Sequence, residues 1–261
     1  MIQQTIISSN CFFHFTSRFE NIENIIRKGF QPRYCLEKTS YFQNEKINET
    51  EMAYPIVSFC DIPISKIQNH IGTYGNYGIG LKKEWGFKNI LSPIFYVKNN
   101  SLASGIFDGF INYTQDLLNI RDDNFEIQPY KNLISYLMTL TKPYDGYSYN
   151  LRKKDYVDYV KYYDEREWRY IPLLKKEDEK IIRLHLEKDE FLNEQLRKQK
   201  NKQIAKKYSL NFEIEDLKYI FLKSNEQKIQ LVNRLRQFLE RDKLELLATK
   251  MISKDFITED I

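Results

Sequence analysis

An α+β fold, with helices grouped around a mixed or antiparallel sheet, is what three observations predict for this 261-residue chain. First, Cys11 to Thr16, Pro55 to Cys60 and Leu217 to Leu222 read as strands, with side chains alternating between two faces. Second, the first of these feeds straight into a helix that opens on Ser17 and Glu20. Third, residues 101–120 and 130–140 read as two consecutive helices, a pair that suits an insertion into the sheet scaffold. Aromatic residues make up 15% of the chain, with 19 Tyr and 17 Phe, and favour strands and stacking surfaces. One domain over residues 1–261, with a helical insertion at about 101–141, is the simplest description.

In the strand over residues 11–16, Phe13 and Phe15 share one face, and Phe12, His14 and Thr16 the other. The helix that follows presents Phe19, Ile22, Ile25 and Ile26 on one side and ends at Gly29. Residues 30–36 form a second extended piece, and 37–52 a polar surface loop. Asp61-Ile62-Pro63 stops the strand at Cys60, and residues 64–71 suit a helix. Of the chain's 9 glycines, four fall in Gly72 to Leu81, which is either a tight loop into a strand or a ligand loop. A helical turn at 83–86 and a strand at 94–97 follow. The tyrosine-rich stretch from Tyr144 to Tyr163 turns at Asp145-Gly146. Beyond it, Glu167, Arg169 and Ile171 alternate with Trp168 and Tyr170. Residues from Leu186 to Tyr208 read as helix, Ser224 caps another to about Leu239, and 246–252 suits a last strand.

Composition excludes several classes. Hydrophobic residues make up 42% and charged residues 29%, as in a soluble globular protein, and the net charge of +4 is mild. Cys11, Cys35 and Cys60 form no C-x-x-C pair, which argues against a disulfide scaffold and for a reducing cytoplasm. His14, His70 and His185 lack metal-ligand spacing, so no metal is expected. The chain opens without a basic signal region and holds no apolar run of membrane-spanning length, so no membrane partner is expected.

Three polar clusters fall on predicted strands: His14 with Thr16, Ser58 through Asp61, and Glu167. The large Trp168/Tyr170 face should pack into the core, leaving Glu167 beside Arg169 on the other face. A carboxylate fixed on a rigid strand and flanked by cations suits polar chemistry. The plain alternative is a Glu–Arg pair on a solvated surface, which contributes little. His14 likewise reads either as a ligand contact or as a satisfied core histidine, and Cys60 as a buried small hydrophobe. A hydrolytic triad around Ser58 or Cys60 lacks a nucleophile elbow. The basic run Arg197, Lys198, Lys200, Lys202, Lys206 and Lys207 reads as a solvated helix face or as a nucleic-acid contact.

The order of these clusters carries a resemblance. His14-Phe15-Thr16, the short helix with Asn24-Ile25-Ile26 and Gly29, and Tyr54 through Pro63 resemble DarT-like ADP-ribosyltransferases. More of the chain resembles the AbiGi family of abortive-infection phage-resistance proteins. The matching pieces are Phe13 to Thr16, Ile56 to Pro63, Tyr74 to Gly86, Pro93 to Val97, Asp164 to Pro172 and Lys250 to Ser253. The resemblance implies an ADP-ribosyltransferase-like fold and a phage-defence effector. It would move ADP-ribose from NAD to a nucleic acid, protein or small-molecule acceptor. The alternative it implies is a non-enzymatic sensor or antitoxin-like protein with a cognate partner. Under the transferase reading Glu167 stabilises the oxocarbenium ion and takes the acceptor proton. His14, Thr16, Ser58, Tyr74, Tyr77 and Arg169 then contact the NAD, with no metal. DarT-like proteins carry an Arg just after the second strand, where this chain has Asp61. Glu167→Gln is then expected to abolish activity with little loss of stability.

Overall fold

The structure, a computed structural model, describes residues 8–38, 51–67, 74–119, 128–150, 153 and 155–253. His70, most of the expected 37–52 loop and the chain end beyond Ser253 lie outside the described residues.

The main sheet is built on β3 (Glu51–Cys60), which is long enough to carry two sets of neighbours. Its first half pairs antiparallel with β2 (Arg33–Lys38), from Arg33 opposite Ile56 to Lys38 opposite Glu51. Its second half pairs antiparallel with β1 (Cys11–Thr16) and with the strand at Glu167–Tyr170. Beyond β1 lie β4 (Tyr77–Lys82) and two C-terminal strands at Leu217–Leu222 and Met251–Ser253, the last pair parallel. Among the described residues the sheet has nine strands and is mixed, as the α+β expectation required.

The intervening elements, in chain order, are α1 (Phe19–Lys28), α2 (Lys83–Lys88), β5 (Ser92–Pro93) and β6 (Phe95–Val97). Helices α3 (Leu102–Asn119) and α4 (Gln128–Thr139) follow, at the place expected for the helical pair. They lie between β6 and β7 (Thr141–Pro143), which pair with each other in parallel. The tyrosine-rich stretch is a hairpin of β8 (Gly146–Asn150) and β9 (Asp155–Val160), not only a turn. A 3-10 turn at Tyr162–Glu165 then leads into β10 (Glu167–Tyr170). After β11 (Leu186–Glu187) come α5 (Lys188–Leu192) and α6 (Glu194–Tyr208). The chain continues through β12 (Leu217–Leu222), α7 (Asn225–Leu235), α8 (Arg241–Ala248) and β13 (Met251–Ser253). The stretch expected as one last strand at 246–252 is thus the end of a helix followed by a short strand.

One face of the sheet carries the larger core. Phe12, Phe59, Ile79, Leu81, Leu217 and Ile220 pack there with Phe19 and Ile22 of α1 and Leu231 and Leu235 of α7. Trp168 and Tyr170 pack against the same cluster, as their parity predicted. The opposite face holds a smaller cluster with Phe13, Cys60, Ile62 and Phe221.

One local expectation fails. Helix α1 takes Arg18 as its N-cap and no side chain caps it, so the Ser17–Glu20 capping box does not form. Its end does follow the sequence: Gly29 adopts φ +72°, and a Cβ there would lie 2.6 Å from the Leu210 carbonyl oxygen. The glycine cluster serves packing. A Cβ on Gly80 would lie 2.6 Å from the Phe13 ring, and one on Gly78 would lie 2.9 Å from the Phe15 ring. Gly75 has φ +128° and packs on the Thr16–Ser17 backbone.

Candidate functional site

The strand parity of β10 puts Glu167 and Arg169 on one face, opposite Cys60 and Ser58 of β3. That face is buried, not solvated: Glu167 is 5% exposed and Arg169 0%. The surface-pair alternative for these two residues is therefore wrong. Four hydrogen bonds converge on the Glu167 carboxylate. Ser58 Oγ donates to Oε1 at 2.6 Å and Arg169 Nε at 2.7 Å. Lys142 Nζ donates to Oε2 at 3.0 Å and Arg169 Nη2 at 3.2 Å. The Glu167 N–H donates to the Tyr96 hydroxyl at 2.8 Å.

Burial alone would raise the Glu167 carboxyl pKa, but the Arg169 guanidinium and the Lys142 ammonium override it and hold the group well below the usual carboxylate range. Glu167 and Glu37 in turn keep both cations charged despite burial, with Glu165 adding to the effect on Lys142. Two further carboxylates complete the cluster. Glu165 pairs with Lys142 at 2.7 Å and accepts from the Tyr74 hydroxyl. Glu37 pairs with Arg169 at 3.1 Å. Arg169 Nη1 donates to the Thr139 carbonyl at 2.7 Å, which ties the end of α4 to the site. Three carboxylates thus face two cations.

Backbone conformation lets Glu165 and Glu167 converge on one lysine. Between them Arg166 takes the left-handed conformation, φ +47° and ψ +50°, turning the chain sharply into β10. The Asp61 N–H donates to the Arg166 carbonyl at 3.1 Å and fixes that corner.

His14 lies where the sheet splits. β1 and β3 pair only at Phe13 and Cys60. Past that point the Ser58 carbonyl accepts a hydrogen bond from His14 Nδ1 at 2.8 Å. A carbonyl only accepts, so Nδ1 carries the proton and Nε2 is an acceptor. Burial against Phe30 and Phe59 pushes the imidazole pKa down, so it is neutral near pH 7.

These groups line a cleft of about 190 Å³ that includes His14, Ser58, Tyr74, Lys142, Glu165 and Glu167. It adjoins a second cleft of about 380 Å³ along α1, which shares His14, Cys35, Ile56 and Ser58 with it. A third, of about 570 Å³, shares Glu37, Tyr74 and Lys142 and runs to the β8–β9 hairpin.

A family model described as "Putative abortive phage resistance protein AbiGi, antitoxin" matches residues 28–223. The chain belongs to the AbiGi family. It is also 30% identical over 250 residues to the abortive phage resistance protein AbiGi of Lactococcus lactis subsp. cremoris, covering 89% of this chain and 99% of that protein. No solved structure matches it.

In this AbiGi chain the expected site residues part company. His14, Ser58, Tyr74 and Glu167 meet at one cleft. Thr16 lines the neighbouring cleft, with its hydroxyl accepting from Asn21 Nδ2 at 2.6 Å. Tyr77 does not join them: it is 4% exposed in the main core, and its hydroxyl accepts from Gln227. Arg169 is wholly buried and holds the Glu167 carboxylate. Asp61 faces away, held by Ser9 N–H at 2.8 Å and Lys83 at 2.8 Å. On α6, Arg197 donates to the Phe191 carbonyl and packs over its ring, and Lys200 donates to the Ile181 carbonyl. Of the four expected nucleic-acid contacts, Lys198 and Lys202 line a groove.

The sequence reading missed Glu37, Lys142 and Tyr96. Glu37 shares strand parity with Arg33 and Cys35, a usable signal that the polarity of residues 37–52 hides. Among the described residues, no group of three or more His, Cys, Asp or Glu could hold a metal ion. Nor is any described helix long and apolar enough to cross a membrane.

Proposed function

We propose that this AbiGi-family chain works in abortive infection by binding, as the antitoxin-type partner, and that Glu167 is a structural lock. The observation that carries this reading is the state of Glu167: both oxygens are occupied by donors from Ser58, Arg169 and Lys142. A general base needs a lone pair free for the substrate and a pKa near the working pH. Glu167 has neither, since its carboxyl lies well below the usual range. The family's description as an antitoxin supports the same reading. The test is expression of the chain alone in a bacterial host. Unimpaired growth is the expected outcome, and growth arrest that depends on Glu167 would overturn it.

A second reading is favoured by one specific observation. His14, Ser58 and Glu167 come from three neighbouring strands and meet at Ser58 where the sheet splits, His14 donating to its carbonyl and Glu167 accepting from its hydroxyl. Under this reading the cleft binds NAD and the chain transfers ADP-ribose to a macromolecular acceptor. Glu167 would then act as a fixed anion facing the oxocarbenium ion, not as a base. The excess of one carboxylate over the two cations suits such a cation, and His14 Nε2 suits a ribose hydroxyl. Incubating the protein with labelled NAD and cell extract tests it. Label transferred by the wild type and lost in His14→Gln would favour the transferase, and no transfer leaves the binding protein.

A further inference from the structure

A groove of about 510 Å³ runs between α6 and the α1–β2 connection. Lys198, Lys202 and Lys206 line one wall, and Lys28 and Arg33 the other. The rest of the lining is Gln31, Pro32, Asn201 and Ala205, with no carboxylate. Lys198 is paired with Glu194 one turn earlier at 2.5 Å, on a widely exposed stretch where the pair contributes little. Lys28, Arg33, Lys202 and Lys206 are exposed, and no described carboxylate pairs with them. The walls are held at a fixed separation by the Tyr34 N–H, which donates to Asn201 Oδ1 at 2.9 Å.

We infer that this groove binds the phosphodiester backbone of a nucleic acid. The three lysines of α6 recur every four residues, so their stems are spaced ~6 Å apart along one helix face. That ladder, with two cations across from it, matches a chain of successive phosphates. An acidic protein would also meet the charge, but a protein interface is anchored by large buried aromatic or aliphatic side chains, and the only apolar residues in this lining are Pro32 and Ala205. The groove shares Lys28, Gln31 and Arg33 with the cleft that holds His14 and Thr16, so a strand bound here passes beside that cleft. The inference stands apart from whether Glu167 is catalytic.

The experiment measures anisotropy of a fluorescein-labelled oligothymidylate and an oligouridylate with the full chain, between about 50 and 200 mM salt. The variant is Lys198→Gln/Lys202→Gln/Lys206→Gln. The control is Arg236→Gln/Arg241→Gln/Lys243→Gln, which removes the same charge from the exposed surface of the C-terminal helices. The expected result is binding of at least one oligonucleotide by the wild type and a loss of about tenfold or more in the groove variant. The slope of log affinity against log salt should flatten by about 2, or ~0.7 for each lost phosphate contact. The control should bind as the wild type does. Three outcomes overturn the inference: no binding by the wild type at low salt, an equal loss in the control, or competition by polyglutamate as effective as by unlabelled oligonucleotide.

Discussion

The Arg169 guanidinium grips the Glu167 carboxylate from two residues along the same strand, Nε to Oε1 at 2.7 Å and Nη2 to Oε2 at 3.2 Å. Strand parity puts the two side chains on one face, and the planar fork then meets both carboxylate oxygens. The same guanidinium reaches Glu37 and the Thr139 carbonyl, so β2, α4 and β10 are joined through one side chain.

Arginine and lysine should therefore not be interchangeable here. Arg169→Lys keeps the charge but gathers all donors on one nitrogen, which cannot span Glu167, Glu37 and Thr139 together. With the site fully buried, the carboxylates left short of partners should cost about 3 kcal/mol. Urea unfolding measures this, and a loss under about 0.5 kcal/mol would show that the fork is dispensable.

Arg166 separates Glu165 from Glu167 in a left-handed conformation that a side chain resists. Arg166→Gly should relieve that strain and stabilise the fold by about 0.5–1 kcal/mol, after the entropy that glycine adds to the unfolded chain. Arg166→Val should destabilise it, because a β-branched residue fits this conformation worst. Thermal unfolding of both variants gives the answer. A stabilised Val variant would mean the corner does not hold this geometry in solution.

Stability should also fall with acid in two stages. The His14 pKa is lowered by burial, so the unfolded chain takes up a proton first. Its contribution is complete above the unfolded value of about 6.5 and is lost as pH falls below it. His185 is shifted the same way and adds to this stage. The Glu167 carboxyl, net lowered by Arg169 and Lys142 against its burial, gives stability that is present above the unfolded carboxylate value and lost below about pH 4.5. Urea midpoints should drop between about pH 7.5 and 5.5 in the wild type, and drop less in His14→Gln. Equal drops would remove His14 from the cause.

What the sequence made legible were the groups on regular strands. Alternation placed Glu167 and Arg169 on one face and put His14 on the face of β1 opposite Phe13. Parity says nothing of what covers a face, so whether Glu167 was wet or buried stayed open. Lys142, 25 residues earlier on a three-residue strand, reaches Glu167 only because β7 packs beside the 3-10 turn. No local pattern announces that contact. Tyr77 is the opposite case. Tyr77, Ile79 and Leu81 share one strand parity and one core, a signal that the glycine cluster beside them obscured. The glycines themselves make sense only once β1 and β4 are in register, with the Phe13 and Phe15 rings lying across them.

Glu167→Gln is the change that separates the lock from the catalyst. A glutamine keeps the shape but turns one acceptor oxygen into a donor. On either side that donor faces two others, Ser58 Oγ with Arg169 Nε, or Lys142 Nζ with Arg169 Nη2. It also removes the one carboxylate that both buried cations share, leaving Lys142 with Glu165 and Arg169 with Glu37. The loss should be about 3–5 kcal/mol, the scale of breaking a buried ion pair, and not the small change expected of a surface pair. Glu165→Gln should cost less, since Glu165 meets one lysine and one hydroxyl. Calorimetric melting of the two variants comes first, and a Glu167→Gln protein that melts with the wild type would end the lock. Any functional readout is then compared at a temperature where both proteins are folded. If Glu167 only holds the fold, function there should match the wild type. A loss of about two to three orders of magnitude in folded protein is the scale of removing a key electrostatic contact, and would put Glu167 in the transition state.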